Sequence, residues 1–436
     1  APLKIIESRE VEPSLGKATI ESGVRAAIIG VVLVSLFMLC YYLLSGLLAN
    51  IALIVNIIVV LGVMCYIRTT ITLPGIAGIV LTIGMAVDAN VLIYERIREE
   101  LAAGKSLRGA IAAGYNRAFG TIFDSHVTTL ISSIILIFMG TGPVKGFGVA
   151  LTIGVAASLF TALVVTHLIF DFLLDRGVIK DRLPMLHLIR GTKINFMKAA
   201  RLAFIASWTL IIIGNGYGLY RQMWGKTIFA PDFVGGDQQV YSFAQRVDDE
   251  KIRSAVMKLN IGEPTVSYQK EMGTGNETLR IISKFETAGQ VEQALKSSFP
   301  EAKFKREGLE RVGAVVGKEI TQTAILASLL AMFGILIYVA FRYEFSFAVC
   351  AVVAIIHDIL MTLGVFFLSG RELSAPIVAA VLTIIGFSIN DTIVIFDRIR
   401  EDLRLGIKGS FVEIMNKALN QTLSRTLITS GTVFLA

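Results

Sequence analysis

Charge is scarce in this chain. Asp, Glu, Lys and Arg make up 17% of it against 54% hydrophobic residues, and the stretch 26–67 contains none of the four. With a mean hydropathy of +0.69 over 436 residues, an ordinary soluble domain is excluded. Cysteine is nearly missing as well. Cys40, Cys65 and Cys350 set up neither a disulfide framework nor a metal-ligand spacing, and each falls in an apolar run where a small buried thiol is expected. The four histidines come without a spaced ligand set, which argues against a metal centre. Gly235-Gly236 after Asp232-Phe233 is not followed by Lys-Ser/Thr, so a structural bend is expected there rather than a phosphate loop. No nucleophile–base pair is readable either, and no enzyme is expected.

What remains is a polytopic α-helical membrane protein. The uncharged stretch is long enough for two spans broken near residues 45–50. Further spans read at about 72–94, 119–140, 146–170, 202–220, 320–341, 347–369 and 374–396, and a tenth begins near Thr426. Lys and Arg collect in three connections: Arg96 to Arg117, Arg176 to Arg201, and Arg398 to Lys417. One threading puts all three in the cytoplasm. The net charge of +7 is then a topology signal and not a mark of nucleic-acid binding, and residues 1–23 and 222–318 lie outside. Ala1 follows no Met, leader or span, so the chain reads as a piece of a longer protein, short at both ends.

Residues 224–318 form the one soluble domain. An extended stretch, the helix-like DDEKIRSAVMKLN, VSYQK and ETLRIISKF around a turn-rich segment, the helix-like AGQVEQALKSSF and a last extended piece follow in order. This strand-helix-strand-strand-helix-strand sequence matches a small ferredoxin-like α+β arrangement.

The spans are related in pairs. VDANVLIYERIREEL, from Val87, and INDTIVIFDRIREDL, from Ile389, lie at a constant offset of 302 residues, which also matches Tyr41 with Tyr343, Gly62 with Gly364 and Gly84 with Gly386. Pseudo-twofold parallel repeats are expected. Each copy carries an acid inside an apolar span, and such acids are expensive and usually functional. Asp88 follows Pro74 by 14 residues, about 21 Å along a helix, with Asn90 close behind. Its counterpart is Asn390, and the acid of the second copy is Asp391, turned by about 100°. Allowing two extra loop residues, Asn116 aligns with Asn420 and Thr121 with Arg425, with Asp124 one turn on, so a charge pair across the repeats becomes possible. Packing is the alternative role for these acids, and interfacial snorkelling the alternative for Arg425. His357-Asp358 sits mid-span as a polar helix contact or auxiliary relay.

GIVLTIGMAVDANVLIYERIREEL resembles the fourth-span signature of the SecD protein-export family, and GFSINDTIVIFDRIREDL with QTLSRTLITSG resembles the matching region of SecF. DFVGG resembles the entry to the smaller SecF domain. The resemblance covers essentially the whole chain and implies a fused SecDF polypeptide of the resistance-nodulation-division superfamily in the bacterial cytoplasmic membrane. It implies that 1–23 is the tail of a large periplasmic head, 24–171 and 319–436 are the SecD-like and SecF-like transmembrane repeats, and 172–200 is the cytoplasmic join. Residues 201–223 would be the first SecF-like span and 224–318 the small periplasmic domain. It further implies no cofactor, proton flow (or sodium flow, in some relatives) as the driving force, and the Sec channel, its associated membrane subunits, unfolded preprotein and lipid as partners. The family's transmembrane acids fall on Asp88 and Asp391 and its transmembrane base on Arg425. Asn90, Asn390, Asp124 and Asp358 are the further candidates for the ion pathway. A carboxyl in low dielectric holds its proton tightly and a nearby guanidinium loosens it, so a moving Arg would load one side and release on the other. A related exporter of lipids or small molecules, and a purely structural assembly subunit, remain as alternatives.

Overall fold

The computed structural model describes residues 7–11, 13–179, 183–186, 192–224, 228–270, 277–406 and 408–435. After strand β1 (Glu7–Val11) come helices α1 (Pro13–Tyr42), α2 (Leu44–Tyr66), α3 (Leu73–Ala102), α4 (Leu107–Met139) and α5 (Gly142–Phe160). A π turn over Thr161–Val165 carries α5 into α6 (Thr166–Asp175), and α7 (Phe196–Met223) follows. A small domain then holds α8 (Pro231–Val234), β2 (Gly236–Ser242), α9 (Asp249–Met257), β3 (Thr265–Lys270), β4 (Glu277–Ser283), α10 (Ala288–Ser298) and β5 (Lys305–Val312). The last helices are α11 (Ala314–Arg342), α12 (Phe345–Leu368), α13 (Ala375–Arg404) and α14 (Phe411–Leu435). Among the described residues, nine helices are long and apolar enough to cross a membrane.

Three expectations are corrected. The first two spans part at Leu43, not within 45–50, which lies inside α2. Leu43 takes φ 47°, and the turn is tight enough that a Cβ on Gly46 would stand 2.0 Å from Met38 O. Asn50, polar enough to suggest a loop, instead donates from Nδ2 to Ser35 O of α1 at 3.0 Å. Second, the helix that holds the tenth span starts well ahead of it: α14 is continuous from Phe411, so its polar first half and apolar second half are one rod. Third, all three cysteines are exposed on the surface of the helices rather than buried, because a bundle in lipid needs no apolar interior to hide a thiol.

The chain divides into two compact units. One comprises 1–25, 212–326 and 363–378. Its sheet has the order β1-β5-β2-β4-β3, with all neighbours antiparallel. The small domain thus supplies four strands in βαββαβ connection, and the segment ahead of α1 adds a fifth along β5, from Glu7 opposite Val312 to Val11 opposite Gly308. Tyr241, Ile252, Val256, Leu279, Ile281, Val291 and Leu295 form its core. Asp237, fully buried, accepts from Ala288 N at 2.9 Å at the start of α10 and from Arg311 Nε at 2.9 Å and Nη2 at 3.0 Å, a fork geometry that only Arg supplies. Gly235 takes φ 78° where α8 turns into β2, and a Cβ there would lie 2.8 Å from the Ala314 backbone; this is a bend.

The other unit comprises 26–211, 327–362 and 379–436. Helices α3, α4 and α5 pack against one another, and α14 packs against α3. Tyr42, Tyr94 and Phe170 interlock edge to face at 5.4 and 6.0 Å between ring centroids, in the offset geometry aromatic pairs prefer.

Candidate ion-coupling site

Helix α3 starts where Thr72 Oγ1 accepts from Gly75 N at 3.2 Å with Pro74 in the first turn, a favourable start because proline's missing N–H would be unpaired there anyway. Running 30 residues from there without interruption, it carries Asp88 past its midpoint. Helix α13, also 30 residues, carries Asp391 at the matching depth, and α14 carries Arg425. All three side chains are half-buried, and the charges of both acids act on Arg425. Among the described residues, no hydrogen bond or ion pair within 4 Å joins Arg425 to either acid. Helix α14 lies on α3, and Ile428 joins the core that α3 builds.

Arg425 also lines a cavity of about 30 Å³ with Glu95, Arg96, Glu99, Arg398 and Gln421. A larger cavity of about 1060 Å³ shares Glu95, Glu99, Arg398 and Gln421 in its lining and reaches Lys193 and Asn420. Charged side chains stand around this mouth. Arg96 reaches Glu99 at 2.9 Å, Asp397 at 3.7 Å and Glu401 at 3.8 Å; Arg398 reaches Glu401 at 2.7 Å. Asn420 Oδ1 accepts from Ile194 N at 2.9 Å and its Nδ2 donates to Ile194 O at 2.8 Å, which fastens the segment between the two sequence repeats beside the opening. None of these acids was singled out from the sequence, where their arginines served only as a topology signal. The signal that could have found them is ERIREE recurring as DRIRED.

The remaining candidates occupy other places. Asp124 is buried in a cluster of its own. Arg342 Nε donates to its carboxylate at 2.8 Å, as do Tyr338 OH at 2.8 Å and Tyr343 OH at 3.3 Å. The pair across the two halves thus exists, with Arg342 and not Arg425 as the cation. A carboxylate with three donors is a fixed tie between α4 and the α11–α12 corner. Asp124→Leu should lower the stability of the bundle by about 2 kcal/mol, less than for a fully buried pair because Arg342 is half-exposed, and should leave ion coupling intact. Thermal aggregation in detergent, together with a flux assay, checks both.

Asn90 Nδ2 donates to Ala86 O at 3.1 Å, while its Oδ1 is buried with no partner among the described residues. Asn390, with its amide turned to donate, reaches Ser125 O at 3.2 Å and Gly386 O at 3.3 Å. It therefore ties α13 to α4, as does Thr129 Oγ1, which donates to Gly386 O at 3.2 Å. Asp358 faces His357 Nδ1 at 3.0 Å through Oδ1 and accepts from Ser388 of α13 through Oδ2. Among the described residues, no three His, Cys, Asp or Glu converge to hold a metal ion.

Comparison with known proteins decides the family. Residues 2–176 and 290–436 match the model of the protein export membrane protein SecD/SecF, C-terminal. This chain belongs to the SecD/SecF protein-export membrane protein family. It is 35% identical over 99% of its length to the protein translocase subunit SecDF of Brucella abortus, of which it covers 57%. The crystal structure of SecDF from Thermus, a translocon-associated membrane protein, superposes over the whole chain with a TM-score of 0.90 at 37% identity, and the chain covers 59% of it. The hedgehog release protein Disp from a water bear superposes at a TM-score of 0.57 and 14% identity, a likeness of fold alone. The chain thus spans about three fifths of the length of the SecDF relatives it matches.

Proposed function

We propose that this chain is the ion-coupling part of a SecDF-type auxiliary subunit that uses proton flow across the bacterial cytoplasmic membrane to assist unfolded preprotein through the Sec channel. The observation that carries the reading is the arrangement of Asp88, Asp391 and Arg425 on three helices: coupled by charge, not locked in a pair, with Arg425 at the inner end of a charged cavity. A fixed ion pair would trap both charges. An unpaired guanidinium, which stays protonated, biases whichever carboxylate it approaches, and the carboxyls carry the proton. The charged lining of these cavities suits ions and water better than a lipid or apolar ligand.

In this reading the basic end, with Arg96, Arg398 and the large cavity, faces the cytoplasm, and the βαββαβ domain is a ferredoxin-like module on the periplasmic face. Its strand order β5-β2-β4-β3 supports that assignment. The constant offset of 302 residues and the matched lengths of α3 and α13 support a pseudo-twofold parallel repeat. The work required is a two-state motion biased by protonation, with no covalent step.

The test is preprotein translocation into proteoliposomes holding the Sec channel, with and without the full-length protein containing this chain. Stimulation should appear under an imposed proton gradient and vanish when a protonophore collapses it. Equal stimulation with and without the gradient would remove ion coupling from the account.

A further inference from the structure

We propose that His357, Asp358 and Ser388 form the proton-entry relay that feeds Asp391 from the side opposite the charged cavity, an inference that rests on the ion-coupling reading above. The cavities around Arg425 are lined by residues at the basic end of the bundle, among them Glu95, Glu99, Arg398 and Gln421, and a proton that crosses needs a route on the other side as well. Three side chains at the right depth supply one.

Helix α12 runs from Phe345 at the basic end to Leu368, and Asp358 stands 10 residues from that far end, about 15 Å below it at 1.5 Å per residue. Ser388 is 13 residues into α13 from Ala375, about 20 Å below the same end. Asp391 comes one helical turn deeper on the same face, since positions three apart are neighbours on a helix. Going inward, the order is therefore Asp358, Ser388, Asp391. The first step is bridged by the Ser388 hydroxyl donating to Asp358 Oδ2, and outside it His357 Nδ1 lies 3.0 Å from Asp358 Oδ1. Both His357 and Asp358 are half-exposed. A half-exposed carboxylate at this depth is costly against hydrocarbon, and a wet approach on that side removes the cost. Around His357, α7 presents the Trp208 ring at 6.2 Å between centroids, α12 presents Asp358, and α13 presents Ser388 with Asp391 a turn beyond.

The transfer balances. The imidazole takes a proton on Nε2 from water and passes the Nδ1 proton to the ionised Asp358. Neutral Asp358 then donates to Ser388 Oγ, whose own hydrogen moves to Asp391, leaving Asp358 ionised and Ser388 a hydroxyl; tautomer exchange resets the ring. A hydroxyl is suited to the middle place because it donates and accepts at one atom. These three are relay residues, and Asp391 remains the carrier.

The test is proton uptake by liposomes holding the purified chain, followed by an internal pH indicator, with Asp391→Asn as the reference. Ser388→Ala and Asp358→Asn should each slow uptake at least about tenfold, the lower range for loss of a positioned proton-transfer group, while Ser388→Thr, which keeps the hydroxyl, restores it. His357→Gln should flatten the dependence of uptake on external pH, because the relay then lacks the ring that takes up the external proton. A packing role would change stability in detergent but leave that pH profile alone. Wild-type uptake and pH profile in Ser388→Ala and Asp358→Asn, with uptake lost in Asp391→Asn, would overturn the relay and spare the coupling site. Wild-type uptake in Asp391→Asn would overturn the coupling site itself.

Discussion

Replacing Arg425 by methionine is expected to abolish gradient-driven stimulation of export while leaving the protein inserted and folded. The side chain fits a helix as well as arginine does, so α14 survives. What disappears is the cation whose charge acts on both Asp88 and Asp391. Without it each carboxyl meets a low-dielectric interior uncompensated, and the group neutralises and stops exchanging. The residual stimulation should be at most about a tenth of the original, since a unit charge in a protein interior contributes more than ~1.4 kcal/mol to a neighbouring charge. Arg425→Lys separates two roles. A snorkelling anchor would work as lysine nearly as well as arginine. A mobile counter-charge that serves two acids in turn depends on the planar guanidinium and its fixed donors, and Lys should leave it strongly impaired. Normal stimulation in Arg425→Lys would assign Arg425 to the interface.

Asp88→Asn and Asp391→Asn form the second large expectation. Each keeps the size and polarity of the side chain and removes the titration. Either change should reduce stimulation to the level seen with a collapsed gradient, although the two positions are not equivalent. Asp88→Asn removes the acid on α3, the helix against which α14 packs, and Asp391→Asn removes the acid three residues from Ser388 on α13. The double mutant should be no worse than either single one, because two groups acting as one unit are not additive. An additive loss would mean two independent sites. Export kinetics at matched protein levels distinguish these outcomes.

How much of this was legible in the sequence depended on the range of the interaction. The acids were visible because a charge inside an apolar run is conspicuous, and Arg425 because the repeat offset set it against Thr121. The partnership of Arg342 with Asp124 was not visible: Arg342 ends α11, where an arginine is ordinarily read as an interface anchor, and the contact spans 218 residues. Glu95, Glu99 and Glu401 were passed over for the same reason, since charges just outside a span are expected and only packing brings them round one cavity. The addition of Glu7–Val11 to the sheet has no local signature at all, because strand pairing is written in register and not in propensity. At Leu43 the sequence misled outright: Asn50 reads as a loop residue, yet a polar side chain tied to a neighbouring helix, as Asn50 is to Ser35, is as good in a span as in a loop, and the chain turned where Gly46 allowed two backbones to touch.

Ion flux decides the central claim most directly. With the chain reconstituted in liposomes, a proton gradient and a sodium gradient are imposed in separate experiments, and the flux of each ion is followed in the wild type and in Asp391→Asn. The expected result is uptake under the proton gradient, none under the sodium gradient, and loss of uptake in the variant. Proton flux of wild-type size in Asp391→Asn, or flux that follows sodium alone, would contradict the account.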